Sequence, residues 1–85
     1  MKMEYFLDIL KPHQPPVDLV ASTLMKITGV KRVQIKVDEL DQKTASLHIK
    51  IEGNDLSLEK IIEILESLNC ALHSIDEVVF FEGQD

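Results

Sequence analysis

The sequence predicts an α+β sandwich, a four-stranded antiparallel sheet with two helices on one face. Three observations predict it. Apolar residues recur at every second position in four stretches and at every third or fourth position in two others. These stretches follow the order β-α-β-β-α-β, with no low-complexity tract or solenoid repeat between them. The 85 residues, 45% of them hydrophobic, supply one thin core, so residues 1–85 are expected to form a single domain. Right-handed crossovers turn that order into the ferredoxin-like plan.

The first strand is expected over Met3–Leu10, where Tyr5, Leu7 and Ile9 alternate with Glu4, Phe6 and Asp8. The stretch LKPHQPP, carrying Pro12, Pro15 and Pro16, ends it. Helix one is expected over Pro16–Thr28. Val17, Val20, Leu24 and Ile27 keep helical spacing, a proline is tolerated in the first turn, and Gly29 is the stop. Strand two, Arg32–Leu40, alternates Val33, Ile35 and Val37 with Gln34, Lys36 and Asp38. Asp41-Gln42-Lys43 reads as a tight hairpin into strand three, Ala45–Glu52, whose Leu47, Ile49 and Ile51 point inward while His48, Lys50 and Glu52 point out. EGNDLS breaks that strand, with Gly53 and Asn54 in the turn and Ser57 as helix cap. Helix two, Leu58–Leu68, faces Ile61, Ile62, Leu65 and Leu68 inward, and Asn69 is the left-handed residue after it. Strand four, Leu72–Phe81, ends in VVFF, apolar on both faces.

Fifteen acidic residues against nine basic give a net charge of −6, a balance that repels phosphate backbones and argues against nucleic acid as a partner. Lys26, Lys31, Arg32 and Lys36 fall close together, but Lys36 shares its strand face with Gln34 and the acidic Asp38, and we read them as a solvated edge. The one cysteine, Cys70, allows no internal disulfide and no Cys/His zinc cluster. With no long apolar run, a soluble cytoplasmic protein with no membrane partner is expected.

Strands one and three are expected in the centre of the sheet, parallel to each other. On that reading KPHQPP, GVKR, EGND and the start of LHSIDE converge on one edge. Lys11, His13, Asn54, Asp55 and His73 then form a candidate pocket for a small ligand or anion, with Arg32 in reach. Turn chemistry alone also accounts for most of these residue types. A second candidate is carboxylate: Asp8 and Asp76 share outward parity on neighbouring strands, with Glu77 adjacent, and such a pair calls for a hard cation, calcium or magnesium, or a partner's base. Asp38, Glu39 and Asp41 are available from a second subunit to complete its shell. For self-association the candidate contact is Phe6, Val78, Phe80 and Phe81, with Leu10 extending the patch.

Enzymatic function is the weaker class. RNA recognition requires exposed aromatics on both central strands, a copper chaperone Cys-x-x-Cys in the first loop, and acyl-phosphate hydrolysis an arginine there; the only arginine is Arg32. An acid–base pair of His13 and His73 is the enzymatic alternative. LDILKPHQPP, IEGNDLSLEKI and LHSIDEVV, in this order and spacing, resemble the short archaeal proteins grouped as domain of unknown function 211. The resemblance covers nearly the whole chain and implies a ferredoxin-like fold, self-association and an archaeal source, but no reaction. Asn69 departs from it, standing where a glycine is expected. These readings together predict a non-enzymatic, self-associating module that binds a small ligand or divalent cation and acts in regulation.

Overall fold

In a computed structural model, which describes residues 1–83, every alternating stretch becomes a strand of eleven residues. The elements are β1 Lys2–Pro12, α1 Val17–Leu24, β2 Val30–Leu40, β3 Thr44–Asn54, α2 Leu58–Ser67 and β4 Ala71–Phe81. The strands form one sheet in the order β2-β3-β1-β4, each neighbouring pair antiparallel, which is the ferredoxin-like α+β arrangement. Met3, Tyr5, Leu7 and Ile9 of β1 are buried beside Leu47, Ile49 and Ile51 of β3, under Val20 and Leu24 of α1 and Ile61 and Leu65 of α2. Ser57 caps α2 by accepting from the Lys60 amide at 3.2 Å, and Asn69 adopts φ 62° beyond its end. Of the residues predicted on its inner face Ile62 is only partly buried, and Ile64 packs on the core instead.

Helix α1 stops at Leu24, about a turn before the expected Thr28. Past it the chain tightens to three-residue bonds, Lys26 N to Thr23 O and Ile27 N to Leu24 O at 3.1 Å. The β-branched Ile27 and Thr28 do not favour continuation, and Gly29 reverses the chain at φ 91°. Gly53 lies within β3 and not in a turn. A Cβ on it would stand 2.1 Å from the Gly29 carbonyl oxygen, which accepts from Asn54 N at 3.0 Å, so two glycines let the start of β2 close onto β3.

The centre of the sheet is β1 and β3 as expected, but they are antiparallel, not parallel. Lys2 pairs with Asn54 and Pro12 with Thr44. The connections require it: a crossover makes β1 parallel to β2, a hairpin makes β3 oppose β2, and so β3 opposes β1. The five connections therefore divide between two ends. The proline turn, the 41–43 hairpin and the start of β4 share one; Gly29, Asn54, Asp55 and the end of β4 share the other.

A second correction concerns β4, which carries two bulges. Phe6 pairs with Glu77 but Leu7 with Ile75, leaving Asp76 over, and Asp8 pairs with Ser74 but Ile9 with Leu72, leaving His73 over. Parity counted through those extra residues fails. Phe80 lies opposite Met3 and Val78 opposite Tyr5, on the helix side, whereas Phe6 and Leu10 lie on the open face. The four residues expected to form one contact patch thus divide between two faces of the sheet.

The strands also outrun their cover. Eleven residues span about 36 Å as a strand, while helices of eight and ten residues span about 12 and 15 Å. The ends of the edge strands stay uncovered on the helix side.

Candidate functional site

Lys11 continues the inward parity of β1, and it is only 4% exposed. Its ammonium donates to the carbonyls of Pro12 at 2.7 Å, Pro15 at 3.0 Å and His13 at 3.2 Å. Three N–H groups meet three oxygens, so the buried charge is satisfied by the loop it holds. The prolines and Lys11 together fix the turn, and the ammonium points into it and not toward a ligand. His13 reaches from that loop to the Asp41 carbonyl, 3.2 Å from Nε2, and the Asp41 carboxylate accepts from Gln42 N at 2.7 Å. Nearby Cys70 is buried, and burial pushes its thiol up, against a weaker downward pull from Lys11.

His73, on the β4 bulge, is turned to the open face with Nδ1 3.6 Å from Asp8 Oδ2. It stands level with Asp8 and Ile9, about 15 Å along the strands from His13, so the two histidines do not meet over one substrate. Asn54 and Asp55 are at the far end of the sheet, where Asp55 adopts φ 51° and its carboxylate takes the N-terminal ammonium at 3.1 Å. The five candidate pocket residues are therefore not brought together. Asp8 and Asp76 do share the open face, but each has its own partner: His73 for Asp8, and for Asp76 the Ser74 hydroxyl, which donates at 2.7 Å. Glu77 sits opposite Phe6. Among the described residues no three His, Cys, Asp or Glu side chains gather as a metal site.

What does gather on the open face is a lattice of charges around one aromatic ring. Lys50 lies over Phe6, 5.3 Å from its centroid, and reaches Glu52 at 3.2 Å. Arg32 approaches the same carboxylate at 3.7 Å, and His48 lies 3.2 Å from Asp38. The hydrogen bond from Lys50, more than the charges of Lys50 and Arg32, holds the Glu52 carboxyl below its ordinary range. A hollow of about 240 Å³ opens here between Lys36, His48 and Lys50 on one side and Asp76 and Glu77 on the other, with Phe6 as its floor. Alternation already turned Phe6, His48 and Lys50 outward in the sequence; the 41–43 hairpin sets Lys36 opposite His48, but Phe6 opposite Lys50 comes from the β1–β3 pairing, which the sequence does not spell out.

The model of the DUF211 family, described as uncharacterized ArCR, matches residues 4–83. The uncharacterized protein MJ0319 of Methanocaldococcus jannaschii is 47% identical over 73 residues, which are 86% of this chain and 75% of that protein. No helix among the described residues is long and apolar enough to cross a membrane.

Proposed function

The chain belongs to the DUF211 family, and from that premise we propose a non-enzymatic, self-associating module that takes a small ligand on the open face of its sheet and serves in regulation. One observation supports self-association above the others: the edge strands project past the helix layer with apolar side chains in water. Val37 and Leu40 of β2 stand at one corner of the helix side, Val78 and Phe80 of β4 at the opposite one, and Phe80 is 57% exposed. A chain of this size gains by covering such surface with another copy of itself. For the ligand, the hollow over Phe6 sets Lys36 and Lys50 against Asp76 and Glu77, a pattern that suits a small zwitterion with an apolar body.

Sedimentation equilibrium at micromolar concentration tests the association. An oligomer that Phe80→Glu reduces in size is the expected result, and a monodisperse wild-type monomer overturns the reading. Melting scans against a panel of zwitterionic metabolites test the ligand. A shift that is lost in Phe6→Ala, with no product formed, supports it.

A further inference from the structure

Resting on the self-association reading, we infer that β2 pairs with the β2 of a second copy, antiparallel, about a two-fold axis at Ile35. The observation is the order of residues along this edge. Residues equidistant from Ile35 complement one another: Gln34 with Lys36, Val33 with Val37, Arg32 with Asp38, Lys31 with Glu39, and Val30 with Leu40. Base meets acid at two of these pairs and apolar meets apolar at two more, with Ile35 on its own copy at the axis and neutral Gln34 against Lys36 beside it.

The faces agree as well. Val33, Ile35 and Val37 lie level with Ile51, Ile49 and Leu47 on the helix side, while Arg32, Gln34 and Lys36 lie level with Glu52, Lys50 and His48 on the open side. A two-fold axis normal to the sheet keeps each face with its own kind. The two irregularities of β2 preserve the match, because Lys31 is the extra residue of one half and Asp38 that of the other. Each half therefore carries two successive residues between its helix-side positions, and Val30 meets Leu40 on the helix side. Leu40 is 74% exposed and Val37 47% in the single chain, and the pairing covers both. The free N–H and C=O groups of an eleven-residue edge gain partners in the same step.

Strand β4 does not have this symmetry. Folded about its midpoint it would set Asp76 on Asp76, Glu77 on Ile75 and Val78 on Ser74, opposing like charges and mixing acid with apolar groups. The β2 contact is isologous and closes as a dimer of eight continuous strands, independent of whatever β4 touches.

Cysteine crosslinking tests the axis. Across an antiparallel pair the two residues at the axis have Cα atoms about 4.5–5.5 Å apart, within disulfide range. Ile35→Cys should oxidise almost wholly to a covalent dimer. Leu40→Cys should not, since the two copies of that position stand about 33 Å apart. Arg32→Glu and Asp38→Arg should each weaken the dimer about tenfold, and the double variant, which restores both pairs with signs exchanged, should recover nearly all of it. Phe80→Glu should leave the Ile35→Cys crosslink intact. If the protein associates but Ile35→Cys fails to crosslink, Leu40→Cys crosslinks equally well, or the double variant does not recover, then β2 pairing is wrong and self-association stands. A wild-type monomer at all concentrations overturns both.

Discussion

The two edges of the sheet have the same length and the same free backbone, yet they are different objects. β2 keeps an unbroken ladder from Arg32 to Val37, with its irregularities near the ends, and its charges balance about the middle. β4 is broken in its middle, at Asp76 and His73, and carries acid there with no lysine or arginine on its own strand. Placement of the extra residue decides which edge can be extended. An interruption near the ends leaves a template for another strand, while one in the middle twists the strand and re-aims side chains, here toward the open face where Asp76 borders the hollow. One edge is thus suited to a second copy and the other to shaping a site.

The sharpest way to break this contrast is to detach one edge only. Gly53→Ala puts a methyl group where the Gly29 carbonyl oxygen stands, a backbone atom that cannot step aside cheaply. The start of β2 must then part from β3, and stability should fall by about 1–3 kcal/mol. Hydrogen exchange should quicken at Val30–Val33 and stay nearly unchanged in β4. Equal quickening at both edges would mean that the sheet responds as one unit.

A comparable loss should come from Lys11→Met, which keeps the apolar stem and removes the donor to three carbonyls. Leaving those oxygens without it should cost about 1–3 kcal/mol. That end of the molecule joins both edges, since His13 of the held loop reaches the hairpin after β2 and Leu10, next to Lys11 in β1, pairs with Ala71 at the start of β4. Exchange should therefore rise at that end of both edges, unlike the one-sided effect of Gly53→Ala, and melting curves should show the loss at any protein concentration.

Alternation and spacing make the element order, the core residues of β1 and β3, the Ser57 cap and the left-handed Asn69 legible in the sequence. Strand polarity was legible too, because a crossover followed by a hairpin leaves one solution, and the expectation of parallel central strands missed it. The bulges of β4 were not legible: an extra residue is defined by what lies opposite, and HSIDEVVFF gives no sign of its partner. For that reason Phe80 was expected beside Phe6 and is found on the other face. Lys11 is expected in a candidate pocket from its place beside the proline turn, but its partners are three backbone carbonyls that no side-chain motif reveals. The complementarity of KRVQIKVDE was in plain view. Read as single charges it is a solvated edge, and only a strand known to lie at the edge turns it into a matching surface.

On the β4 side, Phe80 meets Tyr5 edge-on with centroids 6.3 Å apart, and half of its ring is in water. Phe80→Ala should lower monomer stability by about 1 kcal/mol. Val37→Ala, at the corresponding exposed place on β2, should cost less in the monomer but weaken association more if the dimer forms through β2. Urea titrations at a concentration low enough to prevent association, followed by sedimentation of the same variants, separate the two quantities.

The smallest effect expected is electrostatic, and it distinguishes the edges by pH. Glu52 stands between Arg32 of β2 and Lys50 of its own strand, and the Lys50 hydrogen bond lowers its pKa from the ordinary 4.5 in the folded chain. A carboxyl whose folded pKa is depressed contributes stability that is fully present above its unfolded pKa and is lost as pH falls through the folded one. The contribution is therefore intact at neutral pH and disappears only in acid, below about 4.5. Because these groups sit at the surface, it should amount to less than about 1 kcal/mol and shrink with salt. Glu52→Gln should match the wild type more closely at acid pH than at pH 7, and below pH 4 the wild type should lose exchange protection around Arg32–Gln34 before it does so in β4. If β4 loosens first, or the wild type and Glu52→Gln keep the same stability difference from pH 7 down to pH 3, the carboxylate does not tie β2 to the sheet, and backbone hydrogen bonds alone hold that edge.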